Sequence, residues 1–548
     1  KVSNNTLNVN TNAKAYNIEN FSTINFNFST HTDTNQSLLE LTDTNGTKLD
    51  SLSQLYVKNA KVGRGTLMWN SNGIDVTDST KVGRTEETTE TIIEKNSNNK
   101  AINYRTYQFK GSTTTDFEGT NIWGGRSTLG NTTTGNNVTV SGNHSGKYTY
   151  GGWTSGSGST ATGTDAKNHS IDNKITLEGA TSEVYHMTGG STAVAGGKAT
   201  GNHAVLDGGR VTGNLAGGQA SNGNVSGNAV DINGGRVDGA TYGGITGGTG
   251  KAERNIATLT GGTLNSDIYG GVAASGDAVK NTVNIKGGSA ASHDVYGGFS
   301  TNGNATGNIV NITGGSVRDV KGGRAANGNA TDNTINIANA TVNSITGGEG
   351  ATTNNNIVNL NGGANVTGMI TGGSQANGTG NTLNVKGANS AGTISNFQKL
   401  HFDTTGATAA NPLLNITGGA TNLDWNTLDA SGTSVNRMTL LKNAAGINLS
   451  NHTPGTVKSK INEAGSTEYN IDVEKTGTLT TDITYQGYQF KGKATATTEG
   501  NDTYGGRSKA GNTTTENELT VDSGSHTNIY GGWTSGAGSS AALDKQKN

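Results

Sequence analysis

The chain has 548 residues, of which 30% are hydrophobic, 15% are charged and 86 are glycine. Globular domains usually contain about 45–50% apolar and about 25% charged residues, so this composition excludes several thick hydrophobic cores. The formal net charge is −2 and cysteine is absent, which excludes a strongly basic nucleic-acid surface, a disulfide framework and Cys-based metal sites.

The first hundred residues are predicted to be rich in β-structure. Residues 1–9 contain Asn5-Thr-Leu-Asn-Val9, which recurs as Asn381-Thr-Leu-Asn-Val385, and they are predicted to be the last coil of a preceding solenoid. Residues 10–106 show the alternation of apolar and polar residues that is typical of strands, so we predict an irregular β-rich connector module with one short helix. The polar run at 85–100 is predicted to be an excursion or loop.

The regular part of the chain, residues 107–385, repeats a five-residue strand pattern that begins with Asn and has apolar residues at its third and fifth positions. From Asn202 onward the steps between copies are 26, 27, 26, 27, 25, 23 and 25 residues. A near-constant step of this length is typical of stacked coils, because each coil buries its apolar face against its neighbours. We therefore predict an all-β fold in which coils of 23–27 residues stack into a parallel β-solenoid.

Side chains alternate across a strand, so the first Asn of each copy lies on the same side as the two apolar residues. In Asn308-Ile-Val-Asn-Ile312, for example, Asn308 faces inward with Val310 and Ile312. Stacked at about 4.8 Å per coil, these amides are predicted to form an internal hydrogen-bonded ladder. The predicted structural ladder contains Asn202, Asn228, Asn255, Asn281, Asn308, Asn333, Asn356 and Asn381.

Glycine pairs follow both strands of a coil, as at Gly287-Gly288 and Gly297-Gly298. Tight corners need a positive φ or a close backbone approach, and glycine supplies both, so both pairs are predicted to be corners. Polar segments such as Asn302-Gly-Asn-Ala-Thr-Gly307 mark a third corner. The pattern favours a roughly three-sided cross-section.

The second half of the chain copies the first. Residues 386–487 are predicted to be a second connector module, and residues 488–548 the truncated start of a second solenoid. Tyr107-Gln-Phe-Lys-Gly111 returns as Tyr488-Gln-Phe-Lys-Gly492, a shift of 381 residues. One connector and the solenoid that follows it form a supermodule, and we therefore expect a longer array of supermodules. No apolar run approaches the ~18 residues of a membrane helix, so membrane anchoring is expected only through regions outside this chain.

Stacked coils turn single residues into columns, and one column is acidic. Asp267, Asp294 and Asp319 occupy equivalent positions and are predicted to point outward. In-register carboxylates repel one another, and a divalent cation such as Ca²⁺ would relieve the repulsion. Three interpretations are open: a solvated face neutralised by nearby basic residues, a cation site, and a polysaccharide-cleaving site. The solvated face is favoured, and we predict no catalytic residue and no required cofactor.

Aromatic residues form the best candidate for a binding surface. Outward rows of aromatic side chains can stack on sugars or on the side chains of a partner. The alternative, that the tyrosines stack on each other and stiffen the sheet, is weighed as the commoner case. The candidate ligand-binding residues are Trp123, Tyr150, Trp153, Tyr242, Tyr269, Tyr296, Tyr530 and Trp533.

Three sets of residues carry a family resemblance: the recurrent Asn-x-Val-Asn-Ile-x-Gly-Gly and Val/Ile-Tyr-Gly-Gly units, the Ile-x-Asn-Phe segments at 18–26 and 394–402, and Met438-Thr-Leu-Leu-Lys-Asn443. In these the chain resembles the passenger regions of very large Gram-negative autotransporter or haemagglutinin-like adhesins. The resemblance implies a right-handed β-helix and export to the cell surface, where the protein is attached to the outer membrane. It also implies adhesion to host cells, other bacteria or sister molecules.

These observations together predict a non-enzymatic extracellular fibre with multivalent binding surfaces. Its expected partners are a glycan or protein receptor on a cell surface, or other copies of itself, and not nucleic acid. Two alternatives stay open. One is a β-helical polysaccharide-active enzyme that uses the acidic column, and the other is a purely structural coat or matrix filament.

Overall fold

The computed structural model describes residues 4–29, 36–156, 168–432, 435–461, 465–493, 497–499, 501–521 and 524–535. Contacts divide the chain into two compact units, Lys1–Ala257 and Thr258–Asn548. Strands dominate both units, which confirms the predicted all-β class. Among the described residues the only helical pieces are two single 3₁₀ turns, Leu52–Gln54 and Trp425–Thr427, so the predicted short helix of the connector is one such turn.

The first unit begins with β1 (Thr6–Val9), which lies in the predicted coil at 1–9, and ten further strands of the connector region, and it continues into the first regular coils. The ten further strands are β2 (Ala13–Ala15), β3 (Thr23–Asn27), β4 (Leu39–Leu41), β5 (Thr47–Ser51), β6 (Leu55–Lys58), β7 (Gly63–Asn70), β8 (Ile74–Asp78), β9 (Val82–Thr85), β10 (Thr89–Lys95) and β11 (Ala101–Gln108). The coil strands are β12 (Asp116–Glu118), β13 (Asn121–Ser127), β14 (Thr133–Thr134), β15 (Asn137–Thr154), β16 (Ser170–Ile171), β17 (Lys174–Thr192), β18 (Ala199–Thr200), β19 (His203–Leu206), β20 (Arg210–Val211), β21 (Leu215–Ala220), β22 (Val225–Ser226), β23 (Ala229–Ile232), β24 (Arg236–Val237), β25 (Thr241–Thr246) and β26 (Ala252–Glu253). The boundary between the units falls in β27 (Ile256–Leu259).

The second unit continues with regular coils and then repeats the connector. Its coil strands are β28 (Thr263–Leu264), β29 (Ile268–Ala273), β30 (Ala278–Val279), β31 (Thr282–Ile285), β32 (Ser289–Ala290), β33 (Val295–Ser300), β34 (Ala305–Thr306), β35 (Ile309–Ile312), β36 (Ser316–Ala325), β37 (Ala330–Thr331), β38 (Thr334–Ile337), β39 (Thr341–Glu349), β40 (Ile357–Leu360), β41 (Asn365–Thr371) and β42 (Thr382–Lys386). The remaining strands are β43 (Asn389–Ser395), β44 (Lys399–Asp403), β45 (Leu414–Ile416), β46 (Thr421–Asp424), β47 (Leu428–Ser431), β48 (Arg437–Asn443), β49 (Ile447–Ser450), β50 (Lys458–Ile461), β51 (Thr467–Thr476), β52 (Leu479–Gln489), β53 (Thr497–Glu499), β54 (Asp502–Ser508) and β55 (Asn528–Thr534).

A regular coil contains up to four strand segments. In the coil that begins with β31, this strand pairs in parallel with β35 and places Val283 beside Val310. The segments β32, β33 and β34 pair in parallel with strands of the next coil. The stacked parallel coils of each unit form a β-solenoid, as predicted. The segment expected to be only a third corner, at 302–307, contains the short strand β34.

The internal asparagine ladder is present within each unit. Asn308 is fully buried, and its amide nitrogen donates to the Asn333 side-chain oxygen and to the Ala278 carbonyl, both at 3.0 Å. Its own oxygen accepts from the backbone and side-chain nitrogens of Asn281 at 3.0 and 3.1 Å. All hydrogen-bonding positions of the amide are satisfied, so its burial carries no unpaired-group penalty. Equivalent contacts join Asn136, Asn173, Asn202, Asn228 and Asn255 in the first unit, and Asn333, Asn356 and Asn381 in the second.

A second amide ladder, which the sequence analysis did not predict, lies on the outer face of the same strands in the second unit. Asn311 donates to Asn284 at 2.8 Å, and Asn336 donates to Asn311 at 2.7 Å. Asn359 and Asn384 continue the series. Because these side chains are half-buried, water can reach their remaining hydrogen-bonding positions.

The two glycine pairs of a coil have different roles. Gly288 has a φ of +74° and forms the predicted corner. Gly297 and Gly298 lie inside β33, so the prediction of a corner at this pair is wrong. A Cβ atom on Gly298 would lie 2.4 Å from the amide carbon of Asn308. Glycine is therefore needed here because the internal ladder packs directly on the strand.

A residue with left-handed backbone precedes each ladder asparagine. Gly307, which precedes Asn308, has a φ of +66°. Lys280 and Asp332 adopt φ values of +53° and +59° at the equivalent corners. A side chain at this conformation brings Cβ close to the following carbonyl oxygen, which costs about 1–2 kcal/mol. The corner geometry therefore strains the chain wherever glycine is absent.

The connectors begin as a continuation of the coil stack. In the second unit, β42 pairs in parallel with β44, and β44 with β47. The predicted boundary after residue 385 therefore falls inside β42, and the stacking continues across it. Antiparallel pairing follows, between β48 and β52 and between β51 and its neighbours β50 and β52. The connector of the first unit has the same order, with parallel β1, β3 and β6 followed by antiparallel β7, β11, β10 and β9.

The prediction of an excursion or loop at 85–100 is wrong for the middle of this polar run, because Thr89–Lys95 forms β10. Ile92 and Ile93 of this strand are buried. The strand pairs with both β9 and β11, so its polar backbone is satisfied within a sheet and does not require the exposure of a loop.

A buried carboxylate of β10 contacts the first coil that follows the connector. Glu90 accepts hydrogen bonds from the Ser127 hydroxyl at 2.6 Å, the Thr128 backbone nitrogen at 2.6 Å and the Asn131 amide at 2.8 Å. Hydrogen bonds to a carboxylate are stronger than those between neutral groups. The second unit repeats the arrangement, with Glu468 accepting from Ser508, Lys509 and Asn512.

Replacing Lys280 with glycine is expected to stabilise the second unit by about 1 kcal/mol, because glycine adopts the left-handed corner without a Cβ clash. Gly307→Ala should destabilise it by a similar amount. Urea unfolding followed by circular dichroism measures both changes. Lys286→Gly is the matched control at a position without positive φ, and it should lower stability. A Lys280→Gly variant no more stable than the parent would contradict the strain at this corner.

Asn308→Asp is expected to destabilise the second unit by about 3 kcal/mol, because a carboxylate cannot donate to Asn333 or Ala278 and is buried there. Asn311→Asp, on the outer face of the same strand, is the matched control and should cost less than about 1 kcal/mol. The urea unfolding midpoint at pH 7 reports both. Equal losses in the two variants would show that the internal ladder has no special role in stability.

Candidate functional site

The acidic column does not present free carboxylates to solvent. Asp294 was expected to be exposed, but only 6% of its surface is accessible, so this expectation is wrong. One of its oxygens accepts a hydrogen bond from the Arg318 guanidinium at 2.6 Å, and the other accepts from the Tyr296 hydroxyl at 3.0 Å. These two side chains come from the same and the next coil and cover the carboxylate.

The other two aspartates are also engaged. Asp267 accepts from the Tyr269 hydroxyl at 3.2 Å and from the backbone nitrogen of Asp294 at 2.9 Å. Asp319 accepts from Asn343 at 2.8 Å and from Ser344 at 2.6 Å. Within the described part of the chain, no group of three or more His, Cys, Asp or Glu side chains is placed to hold a metal ion. Hydroxyl, amide and guanidinium donors offset the repulsion within this column, and the contacts favour the interpretation as a neutralised face.

Electrostatics at Asp294 follow from these contacts. Burial opposes ionisation, but the hydrogen bonds from Arg318 and Tyr296 and the charges of Arg318 and Lys321 together hold the pKa of Asp294 below 3.8. Burial and the neighbouring Asp294 carboxylate raise the pKa of Tyr296. The tyrosine therefore stays protonated and donates its hydrogen bond across the whole physiological pH range.

The tyrosine column is stacked and partly covered. The rings of Tyr269 and Tyr296 are parallel to within 6°, with centroids 4.7 Å apart. Phe299 meets Tyr296 edge to face, and the Lys321 ammonium lies 5.1 Å from the Tyr296 ring. Only 4% of Tyr296 is accessible, so its expected exposure as a ligand-binding residue is wrong. Tyr242 and Tyr269 are half-buried. The contacts in the second unit match the alternative in which tyrosines stiffen the sheet.

The aromatic residues of the first coil surround an arginine. The Arg126 guanidinium lies 3.9 Å from the Trp123 ring and 4.3 Å from the Tyr107 ring, and it forms an ion pair with Glu118. Trp123 is 3% accessible, so this candidate ligand-binding residue is a buried part of a cation and aromatic cluster.

Two sequence candidates of the same coils keep part of their surface. Tyr150 and Trp153 are half-buried, and their ring centroids are 6.5 Å apart. Burial, followed by the neighbouring Tyr148, raises the pKa of Tyr150 to about 12. Tyr150 is therefore a neutral hydroxyl at every pH that the protein is expected to meet.

The second unit repeats this cluster. Arg507 lies 4.1 Å from the Tyr504 ring and 5.1 Å from the Trp533 ring. Tyr504 also stacks on Tyr530 at 5.2 Å with an interplanar angle of 11°. The candidate Trp533 thus lies beside a second arginine, as Trp153 lies 5.9 Å from the first. The candidates Tyr150 and Tyr530 contact rings of these clusters, Trp153 and Tyr504. We call Arg126 or Arg507, together with the aromatic rings around it, the arginine cluster. It is a structural feature of the coil that follows each connector.

Sequence reasoning missed two groups of side chains. The first is a set of aromatic residues, Tyr148, Tyr185 and His186, beside Tyr150 on β15 and β17. The alternation of β15 and β17 could have revealed Tyr148 and His186 as outward residues, but their column does not repeat one residue type. Tyr148 and Tyr185 are exposed, in contrast to Trp123.

The second missed group is a polar network around Asp429. His401 contacts Asp429 through Nδ1 at 3.2 Å and the Ser431 hydroxyl through Nε2 at 2.9 Å. This is the contact order of a nucleophile triad. However, His401 and Asp429 are register partners on adjacent strands, and Asp429 also contacts Lys460 and Tyr469, each at 3.3 Å. The stacking of the coils and the shared neutralisation of the Asp429 charge account for this network, so no catalytic role is needed to explain it.

Comparisons with known proteins give no family for this chain: no family model, curated protein or solved structure matches it. In the part of the chain that the structure describes, no helix is long and apolar enough to cross a membrane. Functional inference therefore depends on the coils and their surfaces.

Asp294→Asn is expected to reduce the acid sensitivity of the second unit. The native pKa of Asp294 lies below 3.8, so the carboxylate stabilises the folded state above about pH 4. This stabilisation is lost as the pH falls through the native pKa. Thermal unfolding measured from pH 7 to pH 2 should show a shallower decline of Tm below pH 4 in the variant. Asp50→Asn, an exposed carboxylate of the first unit, controls for net charge. Identical slopes for Asp294→Asn and the parent would contradict the assignment.

Proposed function

We propose that the chain is a segment of a non-enzymatic extracellular fibre that presents repeated binding surfaces to host cells, other bacteria or sister molecules. The observation that carries the proposal is the internal amide ladder, which runs through successive coils of each unit without an unsatisfied group. A core built from one repeated contact supports extension and stiffness. It leaves function to the outer faces of the coils.

Repetition of the arginine cluster supports multivalent binding. Arg126 and Arg507 hold equivalent aromatic neighbours and are separated by 381 residues. Surfaces that recur along one fibre raise the effective concentration for a second binding event, so weak individual contacts give useful avidity. The adhesin resemblance and the cell-surface location are parts of this proposal.

The polysaccharide-active alternative receives less support from the acidic column. Glycoside hydrolysis requires a carboxyl group that reaches the leaving oxygen and a second one that acts on the sugar. Asp294 is covered by Tyr296 and paired with Arg318, so a substrate would have to displace both contacts. No feature of this column favours the enzyme over the fibre.

The structural-filament alternative has one specific observation in its favour, which is the outer amide ladder of the second unit. Asn284, Asn311 and Asn336 are in register and carry no charge. Such a face can pack on an identical face without charge repulsion. Assembly of the isolated protein would then occur without any receptor.

Beads coated with the chain are expected to adhere to epithelial or bacterial cell layers and to resist detachment by flow better than albumin-coated beads. Polysaccharides incubated with the unattached chain should release no reducing ends. Assembly without cell binding would instead support the structural filament. Release of reducing ends that is lost in Asp294→Asn would support the enzyme and contradict the fibre proposal.

A further inference from the structure

An exposed aromatic patch lies on the outer face of the first coils. Tyr148 on β15 is 36% accessible and Tyr185 on β17 is 38% accessible. Their rings meet edge to face with centroids 5.2 Å apart, and His186 stacks on Tyr148 at 4.9 Å with an interplanar angle of 22°. We call Tyr148, Tyr185 and His186 the aromatic platform.

The aromatic platform adjoins two candidate ligand-binding residues of the sequence analysis, Tyr150 and Trp153. Tyr148 and His186 are register partners in the parallel pair of β15 and β17. Thr149, the next residue on β15, is buried, so Tyr148 and Tyr150 both lie on the outer face of the strand. Trp153 follows at 6.5 Å from Tyr150. The outer face therefore offers a row of rings across two coils.

The charges that border the platform are already paired or bound. Glu183, two residues before Tyr185, forms an ion pair with Arg210 at 3.4 Å. Arg126, the register partner of Trp153, forms an ion pair with Glu118. The Lys147 ammonium donates to the neutral Gly119 carbonyl at 2.6 Å, so it is held in place but keeps its positive charge. Two of these three charges are therefore compensated by an opposite charge, which favours a neutral ligand over a highly charged one.

The platform also carries defined polar groups. His186 accepts a hydrogen bond at Nδ1 from the backbone nitrogen of Asn214 at 2.8 Å, which leaves the proton of the neutral ring on Nε2. Burial lowers the pKa of His186, so the ring is neutral at pH 7. The hydroxyls of Tyr148 and Tyr185 can each donate and accept. An apolar ring face edged by neutral donors and acceptors matches the surface of a sugar.

The size of the patch decides between a sugar and a protein. A buried aromatic side chain covers about 150–250 Å², so platform rings that are about one-third exposed offer roughly 200–300 Å² with their neighbours. A specific protein interface needs about 800 Å² from each partner. The platform alone is too small for a protein partner, but it is large enough for one or two sugar rings.

We propose that the aromatic platform, extended by Tyr150 and Trp153, binds the pyranose rings of a neutral glycan. The inference rests on the proposed fibre function, since it names the surface and the class of ligand that would serve adhesion. Sugar C–H groups would lie against the tyrosine rings, and sugar hydroxyls would bond to the tyrosine hydroxyls and to Nε2 of His186.

Titration with cellotetraose and with chitotetraose tests the proposal. Trp fluorescence and saturation-transfer NMR on the full chain should detect binding of at least one of these neutral oligosaccharides. The double variant Tyr148→Ala/Tyr185→Ala should weaken that binding about tenfold, because two aromatic contacts are lost. Tyr148→Phe/Tyr185→Phe keeps the rings and should stay within about threefold of the parent. Tyr16→Ala, at an exposed tyrosine of the same unit, is the control and should have no effect.

Three results would overturn the platform: no binding of either oligosaccharide, binding that the alanine pair leaves unchanged, or binding of oligoglucuronate in place of the neutral sugars. Circular dichroism confirms that each variant is folded. The bead experiment separates this inference from the fibre proposal. Adhesion without oligosaccharide binding would overturn the platform alone, whereas oligosaccharide binding without adhesion would overturn the fibre function alone.

Discussion

The hydrogen bond between asparagine amides of successive coils is the contact on which the rest of each solenoid depends. It requires an Asn at the same place in every coil, and it requires the facing strand to come close enough that Gly298 cannot carry a side chain beside Asn308. It also requires the chain to turn sharply just before the amide, as at Gly307. Few large apolar residues are needed, because beside the amide this coil buries only the valines and isoleucine Val310, Ile312, Val317 and Val320 together with two alanines.

The sequence reveals the ladder and the coils because every coil meets the same requirement, so the same residues recur at nearly constant steps. It does not reveal contacts that do not recur from coil to coil. The strand at Thr89–Lys95 is polar enough to predict a loop, because the burial of Glu90 depends on a partner distant in sequence, Ser127. The role of Gly298 was also hidden, since corners and close approaches both select glycine.

Candidate site residues were harder to predict for a related reason. Alternation along a strand tells which side a residue lies on, but exposure depends on what the adjacent coil places over it. Asp294 is on the predicted side, yet Arg318 of the next coil covers it. Tyr296 is likewise covered by its neighbours Tyr269 and Lys321. In stacked coils, accessibility is a property of columns and not of single residues.

Because the interior of the solenoid repeats one contact, differences in sequence between coils are tolerated mainly on the outer face. The two copies of the first coil show such a difference. Tyr530 and Trp533 correspond to Tyr150 and Trp153, with an arginine among the rings in both copies. The position of Tyr148, two residues before Tyr150, is occupied by Asn528 in the second copy. The scaffold that orients the rings is thus retained, while the outward tyrosine beside them is not. The outer faces of the two copies therefore differ at this position, although their coils are held together by the same amides.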